Sequence, residues 1–291
     1  MNFFRLILLA LFLSQPVFSF GARVDTLAIP SVAMQKTYKA AVVLPNAYAK
    51  SKAAFPVLYL LHGGGGQFSD WLRQTPDKLL LHKLADQYNL IIVTPDAGPT
   101  SYYFDSPLDQ TSQYETFISK ELVEKIDGTY RTVRDRRGRV IAGLSMGGHG
   151  AMYIATQHPD LYCAAGSMSG VMDINTATWK VPADFAQLRA QNFAKLLGPP
   201  GEGGHPYPDY TAVGRTNKIK ESNLKLIIDC GVDDFLIDTN RELHRRLLYN
   251  QTPHDYIERP GAHTWEYWEN ALPYQVLFFH KVLQENGTLV P

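Results

Sequence analysis

Short, uninterrupted apolar runs alternate along this chain with stretches in which apolar residues recur every three or four positions. The run 56–61 (Pro-Val-Leu-Tyr-Leu-Leu) stops at His62 and four glycines. The run 90–95 (Leu-Ile-Ile-Val-Thr-Pro) follows a helical-period stretch over 76–88 that puts Leu79, Leu80, Leu84 and Tyr88 on one side. Apolar runs of this length without polar alternation suit strands covered on both faces. The pattern continues with a helix over 114–130 carrying Phe117, Ile118, Leu122 and Ile126, a strand at 140–144, a helix at 147–158 and a small-residue strand at 163–168. It resumes at 224–229, followed by a helix over 235–249 with Phe235, Leu236, Leu243, Leu247 and Leu248 apolar. A short strand at 255–259 and a terminal helix bearing Trp268, Leu272, Val276 and Phe279 close the chain. Ahead of all these, 35–44 alternates and ends at Pro45, which suits a strand near the sheet edge. Strand and helix in alternation predict an α/β protein with a mostly parallel central sheet and helices on both faces.

The alternation fails between 171 and 223, where Trp179, Pro182, a short helical stretch near 185–197 and a Gly/Pro-rich run replace it. Long irregular segments inside compact domains are either functional or disordered, and a cap-like insertion is expected here. No internal repeat or interdomain linker is visible, so 22–291 reads as a single domain. At the amino terminus Arg5 precedes the apolar run 6–13, and small residues follow at 19–22. That run is well short of the roughly 20 residues a spanning helix needs, so 1–21 reads as a signal peptide. The expectation is a secreted or periplasmic protein with no stable membrane association after its removal.

Composition narrows the partners. With 45% hydrophobic and 19% charged residues and a formal net charge of zero, nothing favours nucleic acid or an anionic membrane. The two cysteines, Cys163 and Cys230, lie in apolar stretches and read as buried free thiols. Asn250-Gln251-Thr252 and Asn286-Gly287-Thr288 fit the glycosylation pattern, which matters only in a host that modifies such sites. No ligand set calls for a metal or cofactor, and the oligomeric state is not legible.

Chemistry enters with Gly143-Leu144-Ser145-Met146-Gly147, a G-x-S-x-G pattern between a strand and a helix. In that context the serine sits on a strained turn and its hydroxyl projects over the end of the sheet, which makes Ser145 the candidate nucleophile. The five residues alone also fit an ordinary glycine-rich turn. A serine hydroxyl needs a base and something to orient it. In α/β-hydrolases acid and base follow the serine in the order acid, then histidine, on loops after strands. Of nine histidines only His263 follows the last strand and precedes a helix. The acid is Asp233 or Asp234, both directly after the 224–229 strand, with Asp96 a weaker candidate because it precedes the serine. For the oxyanion, the Met146 N–H is one expected donor and an amide of the His62-Gly63-Gly64 turn the other, with Gly64 favoured. The four-glycine loop lacks the Lys-Ser/Thr ending of a phosphate-binding loop, and His62 reads as a structural residue of the turn.

These segments, together with Tyr102 to Pro107, Tyr114-Glu115-Thr116-Phe117, Gly231 to Leu236 and Gly261-Ala262-His263-Thr264-Trp265, resemble the esterase D / tributyrin esterase group. That group includes carbohydrate esterase family 1 feruloyl and acetylxylan esterases and S-formylglutathione hydrolases. The resemblance spans most of the chain. It implies an α/β-hydrolase fold with Ser145, Asp234 and His263 as triad, hydrolysing small acyl esters without a cofactor. It also favours Asp234, leaving Asp233 to cap the following helix. The expected activity is a serine carboxylic ester hydrolase acting on short-chain acyl or carbohydrate-linked acetyl or feruloyl esters. Alternatives are an acyltransferase with a sugar acceptor, a thioesterase of the S-formylglutathione kind and a carbohydrate-binding relic. Trp71, Tyr102, Tyr103 and Trp179 are candidates for a flat surface under a sugar or aromatic acyl group, against core packing.

Overall fold

The apolar runs become strands with no polar face to spare: every residue of β3 (Val57–Leu61) and of β4 (Ile91–Pro95) is buried. The computed structural model describes residues 21–201 and 207–290. The expected leader, 1–21, therefore lies outside the described residues but for Gly21. The other strands are β1 (Arg23–Ser31), β2 (Lys36–Leu44), β5 (Arg139–Leu144), β6 (Ala164–Met168), β7 (Lys225–Gly231) and β8 (Asp255–Arg259). They form one sheet in the order β1-β2-β4-β3-β5-β6-β7-β8. The β1–β2 and β2–β4 pairs are antiparallel, and the pairs from β4 through to β8 are parallel.

The helices are α1 (Asn46–Lys50), α2 (Asp70–Arg73), α3 (Leu80–Tyr88), α4 (Tyr114–Thr116), α5 (Val123–Thr129), α6 (Met146–Gln157), α7 (Ala183–Leu197), α8 (Thr216–Glu221), α9 (Ile237–Tyr249) and α10 (Trp265–Glu285). Side chains alternate across the sheet, so each parallel strand feeds two cores. Val57, Tyr59, Leu61 and Ile141 join Phe117, Ile118, Leu122, Met152 and Leu243 on one face. Leu58, Leu60, Val140 and Ala142 join Leu81 and Leu84 of α3 and Leu272, Val276 and Phe279 of α10 on the other. Full burial of each Val, Leu, Ile, Met or Phe among them contributes about 1.5–3 kcal/mol. Because β3 leads to β4 on one side and its neighbour β5 leads to β6 on the other, the loops after β3 and β5 part and leave a crevice at the carboxyl ends of the strands.

Several expectations shift. The alternating stretch expected near the sheet edge is there, as β2, but the edge itself is β1, a strand the pattern did not predict. The pattern of β1 is weak because most of its residues are exposed or half-buried, and Pro30 sits in it where only an edge tolerates proline. The helix expected over 76–88 starts at Leu80, leaving Leu79 55% exposed. The 114–130 helix is α4 and α5 joined through a π-helical segment, Phe117–Leu122. The helix expected over 235–249 begins at Ile237, and Leu248 faces solvent. Within 171–223 the described residues hold α7 and α8 but no strand; of α7 only Phe193 is buried. Cys163 and Cys230 are free and buried, and burial pushes their thiols up, that of Cys163 to about 11.

Candidate active site

β5 delivers the chain to a turn with Ser145 at its apex, at φ 54° and ψ −118°. A non-glycine residue held there costs on the order of 1–3 kcal/mol, so the surroundings must impose it. Ser145 N–H donates to the Met168 carbonyl at 2.9 Å, and its own carbonyl accepts from His149 N–H at 3.1 Å and Val171 N–H at 3.2 Å. The flanking glycines are a steric requirement. A Cβ on Gly143 would lie 2.4 Å from the backbone of Gly147, and one on Gly147 would lie 2.6 Å from the carbonyl oxygens of Leu61 and His62.

The loops after β7 and β8 bring the other two groups to this apex. His263 Nε2 is 2.9 Å from Ser145 Oγ, and His263 Nδ1 is 2.8 Å from Asp234 Oδ2. The Asp234 side chain is fully buried and its Oδ1 accepts from Leu236 N–H at 2.9 Å, so both oxygens are engaged. Asp233 is exposed and caps nothing: α9 starts three residues beyond Asp234, at Ile237, with Leu236 as its N-cap and no side-chain cap. The expected cap is thus corrected, because the turn spends two more residues before the helix and Asp234 itself holds the Leu236 amide. Asp96 faces elsewhere, accepting from Phe68 N–H at 2.8 Å. The His263 ring is flanked by Phe235 at 4.5 Å and, edge-on, by Trp268 at 4.9 Å.

Opposite the elbow runs the glycine loop after β3. A Cβ on Gly63 would fall 3.5 Å from Ser145 Cβ, so this loop passes directly against the serine. Among the described residues neither the Gly64 nor the Met146 N–H has a backbone partner. Met146 opens α6, whose first amides face outward with the positive end of the helix dipole. His62 is buried beneath the loop. Its Nε2 accepts from Ala97 N–H at 3.0 Å, which leaves the proton on Nδ1 to donate to the Gly63 carbonyl at 2.8 Å. Burial lowers its pKa.

A cleft of about 210 Å³ opens on Ser145 and His263, walled by Gly64, Asp70, Gln74, Trp265 and Trp268. The four aromatic candidates are not on it. Trp71 is buried with its Nε1–H on the Leu61 carbonyl, 3.1 Å away, and backs the cleft only through an edge contact with Trp265. Tyr103 is fully buried with its hydroxyl on the His62 carbonyl at 2.9 Å, and Trp179 is buried with its Nε1–H on the Asp173 carbonyl at 2.8 Å. Tyr102 packs on Phe193, and burial pushes its phenol up to about 12. Core packing took all four, three of them with the polar tip satisfied by a carbonyl. The aromatic surface at the serine is instead Trp265 and Trp268, and the one available signal was that Trp265 follows His263 by two residues, where the loop enters α10. Among the described residues no group of three or more His, Cys, Asp or Glu side chains is arranged to hold a metal ion, and no helix is long and apolar enough to cross a membrane.

Residues 31–279 match the family model described as "Putative esterase". The acetyl esterase of Caldicellulosiruptor saccharolyticus is 27% identical over 218 residues, covering 74% of this chain and 79% of that protein. Esterase Rv1288 of Mycobacterium tuberculosis (strain ATCC 25618 / H37Rv) is 30% identical over 246 residues, 77% of this chain, and the chain spans 52% of its length. A ferulic acid esterase of known structure superposes with a TM-score of 0.73 at 30% identity, covering 91% of this chain and 99% of that one.

Proposed function

The chain belongs to the esterase family and is a serine esterase of the α/β-hydrolase fold, and from that premise we propose that Ser145, His263 and Asp234 carry its chemistry. The observation that supports this is the unbroken line of hydrogen bonds from Ser145 Oγ through His263 to Asp234, 2.9 and 2.8 Å. Asp234 accepts a hydrogen bond from Nδ1–H, which leaves the lone pair of Nε2 on the serine. As Oγ attacks the acyl carbon, Nε2 takes its proton, and the buried Asp234 carboxylate stabilises the imidazolium. The Gly64 and Met146 amides are the proposed donors to the oxyanion. The imidazolium then protonates the leaving alcohol and the acyl group stays on Ser145; water deprotonated by His263 attacks the acyl carbon, the bond to Oγ breaks as Oγ takes that proton back from His263, and the acid leaves.

For substrate, we propose short-chain acyl or aromatic acyl esters of carbohydrates. The cleft offers the Asp70 carboxylate and the Gln74 amide beside the indole of Trp265, a set suited to hydroxyl groups and to the apolar face of a sugar ring. Similarity to an acetyl esterase and a ferulic acid esterase supports the acyl classes. An exported location stays a proposal resting on Arg5 and the apolar run 6–13; amino-terminal sequencing of the protein recovered outside the cytoplasm should start near Ala22. The catalytic reading is tested by p-nitrophenyl acetate and butyrate hydrolysis. Ser145→Ala should abolish release above background, and equal rates for the two proteins would remove Ser145 from the mechanism. Feruloylated and acetylated oligosaccharides beside these simple esters rank the acyl and alcohol preferences.

A further inference from the structure

The three groups of the proposed site sit on three separate loops, and one buried residue touches the supports of all of them. Asp229, near the end of β7, is fully buried. Its carbonyl accepts from Ser169 N–H at 2.7 Å, next to Met168, whose carbonyl holds the Ser145 amide. Its own strand runs on through Gly231 into Asp234. Its carboxylate accepts from the Tyr267 hydroxyl and pairs with Arg259 Nη2 at 2.5 Å, the two residues that bracket His263 in sequence. Tyr267 in turn fills the space between the loops: a Cβ on Gly261 would lie 2.5 Å from its ring and one on Gly231 3.2 Å. The loops are also tied directly, by Val232 N–H on the Arg259 carbonyl and Asp233 N–H on the Gly261 carbonyl.

A buried ion pair is poor evidence for stability, since apolar packing of the same volume serves as well or better. What it supplies is fixed geometry, and here the geometry fixed is the spacing between acid, base and nucleophile loops. We propose that Asp229, Tyr267 and Arg259 are positioning residues that hold the Asp234–His263 contact in register with Ser145, an inference that rests on the roles given to those three above. Burial raises the Asp229 carboxyl above its ordinary range against the pull of Tyr267 and Arg259. The groups facing His263 are Asp234 and Ser145, with Asp70 on the same cleft; those facing Asp229 are Tyr267 and Arg259, with Cys230 beside it.

The test is p-nitrophenyl acetate hydrolysis as a function of pH for wild type, Tyr267→Phe and Asp229→Asn, with active sites counted by a fluorophosphonate. Tyr267→Phe keeps the ring that packs on the two glycines, so the loops stay filled. Per labelled site, kcat should fall about tenfold with KM unchanged. The acid limb of kcat/KM should move to lower pH, because a loosened Asp234 stabilises the imidazolium less. A merely structural role would leave fewer labelled sites with wild-type kcat and an unmoved limb, and that result overturns the proposal. Wild type labelled at Ser145 with both variants unchanged overturns the positioning role alone, whereas a wild type not labelled at Ser145 overturns it together with the mechanism.

Discussion

At the scale of single residues the site is decided by which atoms are left without a partner and which are not. Asp233 and Asp234 are neighbours in sequence, yet one carboxylate is exposed and the other has both oxygens engaged in the interior, one on His263 and one on the Leu236 amide. Asp234→Asn keeps the shape but offers His263 an amide that can impose the wrong tautomer, so kcat should fall by about 10² to 10⁴. Asp233→Asn should stay within about twofold of wild type in the same assay, because surface changes away from the site have small effects. Equal losses in the two variants would contradict the assignment of Asp234. The choice between these acids was the least legible point in the sequence, since spacing alone serves both.

At the scale of elements, the strand–turn–helix at Ser145 was legible because three of its requirements are written in residue type: an apolar β5, small residues at the close approaches and a helix to follow. The packing gives that pattern a measurable cost. Gly147→Ala would place a methyl against two carbonyl oxygens at 2.6 Å. It should lower the unfolding midpoint by several degrees or more, with a loss of about 1–3 kcal/mol, read by thermal unfolding; an unchanged midpoint would show that the turn can relax. The parallel strands were legible for the same reason, as continuous apolar runs. What stayed hidden depended on contacts far away in sequence. β1 is an edge strand half in solvent, so little of its pattern is apolar. The aromatic candidates were found by type alone, and type does not say that Tyr103 points at the His62 carbonyl and Trp265 at the cleft. The Asp229–Tyr267–Arg259 cluster joins residues from three elements, β7, β8 and α10, with no motif to announce it.

At the scale of the whole molecule, the buried histidines tie stability to pH. His149 sits inside α6 with Nε2 2.8 Å from the Tyr210 carbonyl and Nδ1 3.1 Å from the Tyr102 carbonyl, joining α6 to the 98–113 loop and to the 171–223 segment. A neutral ring can donate to only one of them. Both carbonyls favour the charged ring, but burial outweighs them, and the pKa is lowered to about 4. The unfolded chain, with an ordinary value of about 6.5, therefore binds the proton more readily. The contribution is complete above about pH 6.5, is lost as pH falls towards about 4, and amounts to at most about 3 kcal/mol. His62 acts in the same direction. Denaturant midpoints measured across that window should fall more steeply for wild type than for His149→Asn, and parallel curves would mean that the ring is accommodated in its charged form. The buried, unbridged cysteines carry a practical consequence of another kind. With both thiols buried and unbridged, no disulfide distinguishes the chain in reducing and oxidising buffers. A single cysteine introduced on the surface would then be the only reactive thiol, so that spectroscopic labels on the loops around the cleft can report their distances without background.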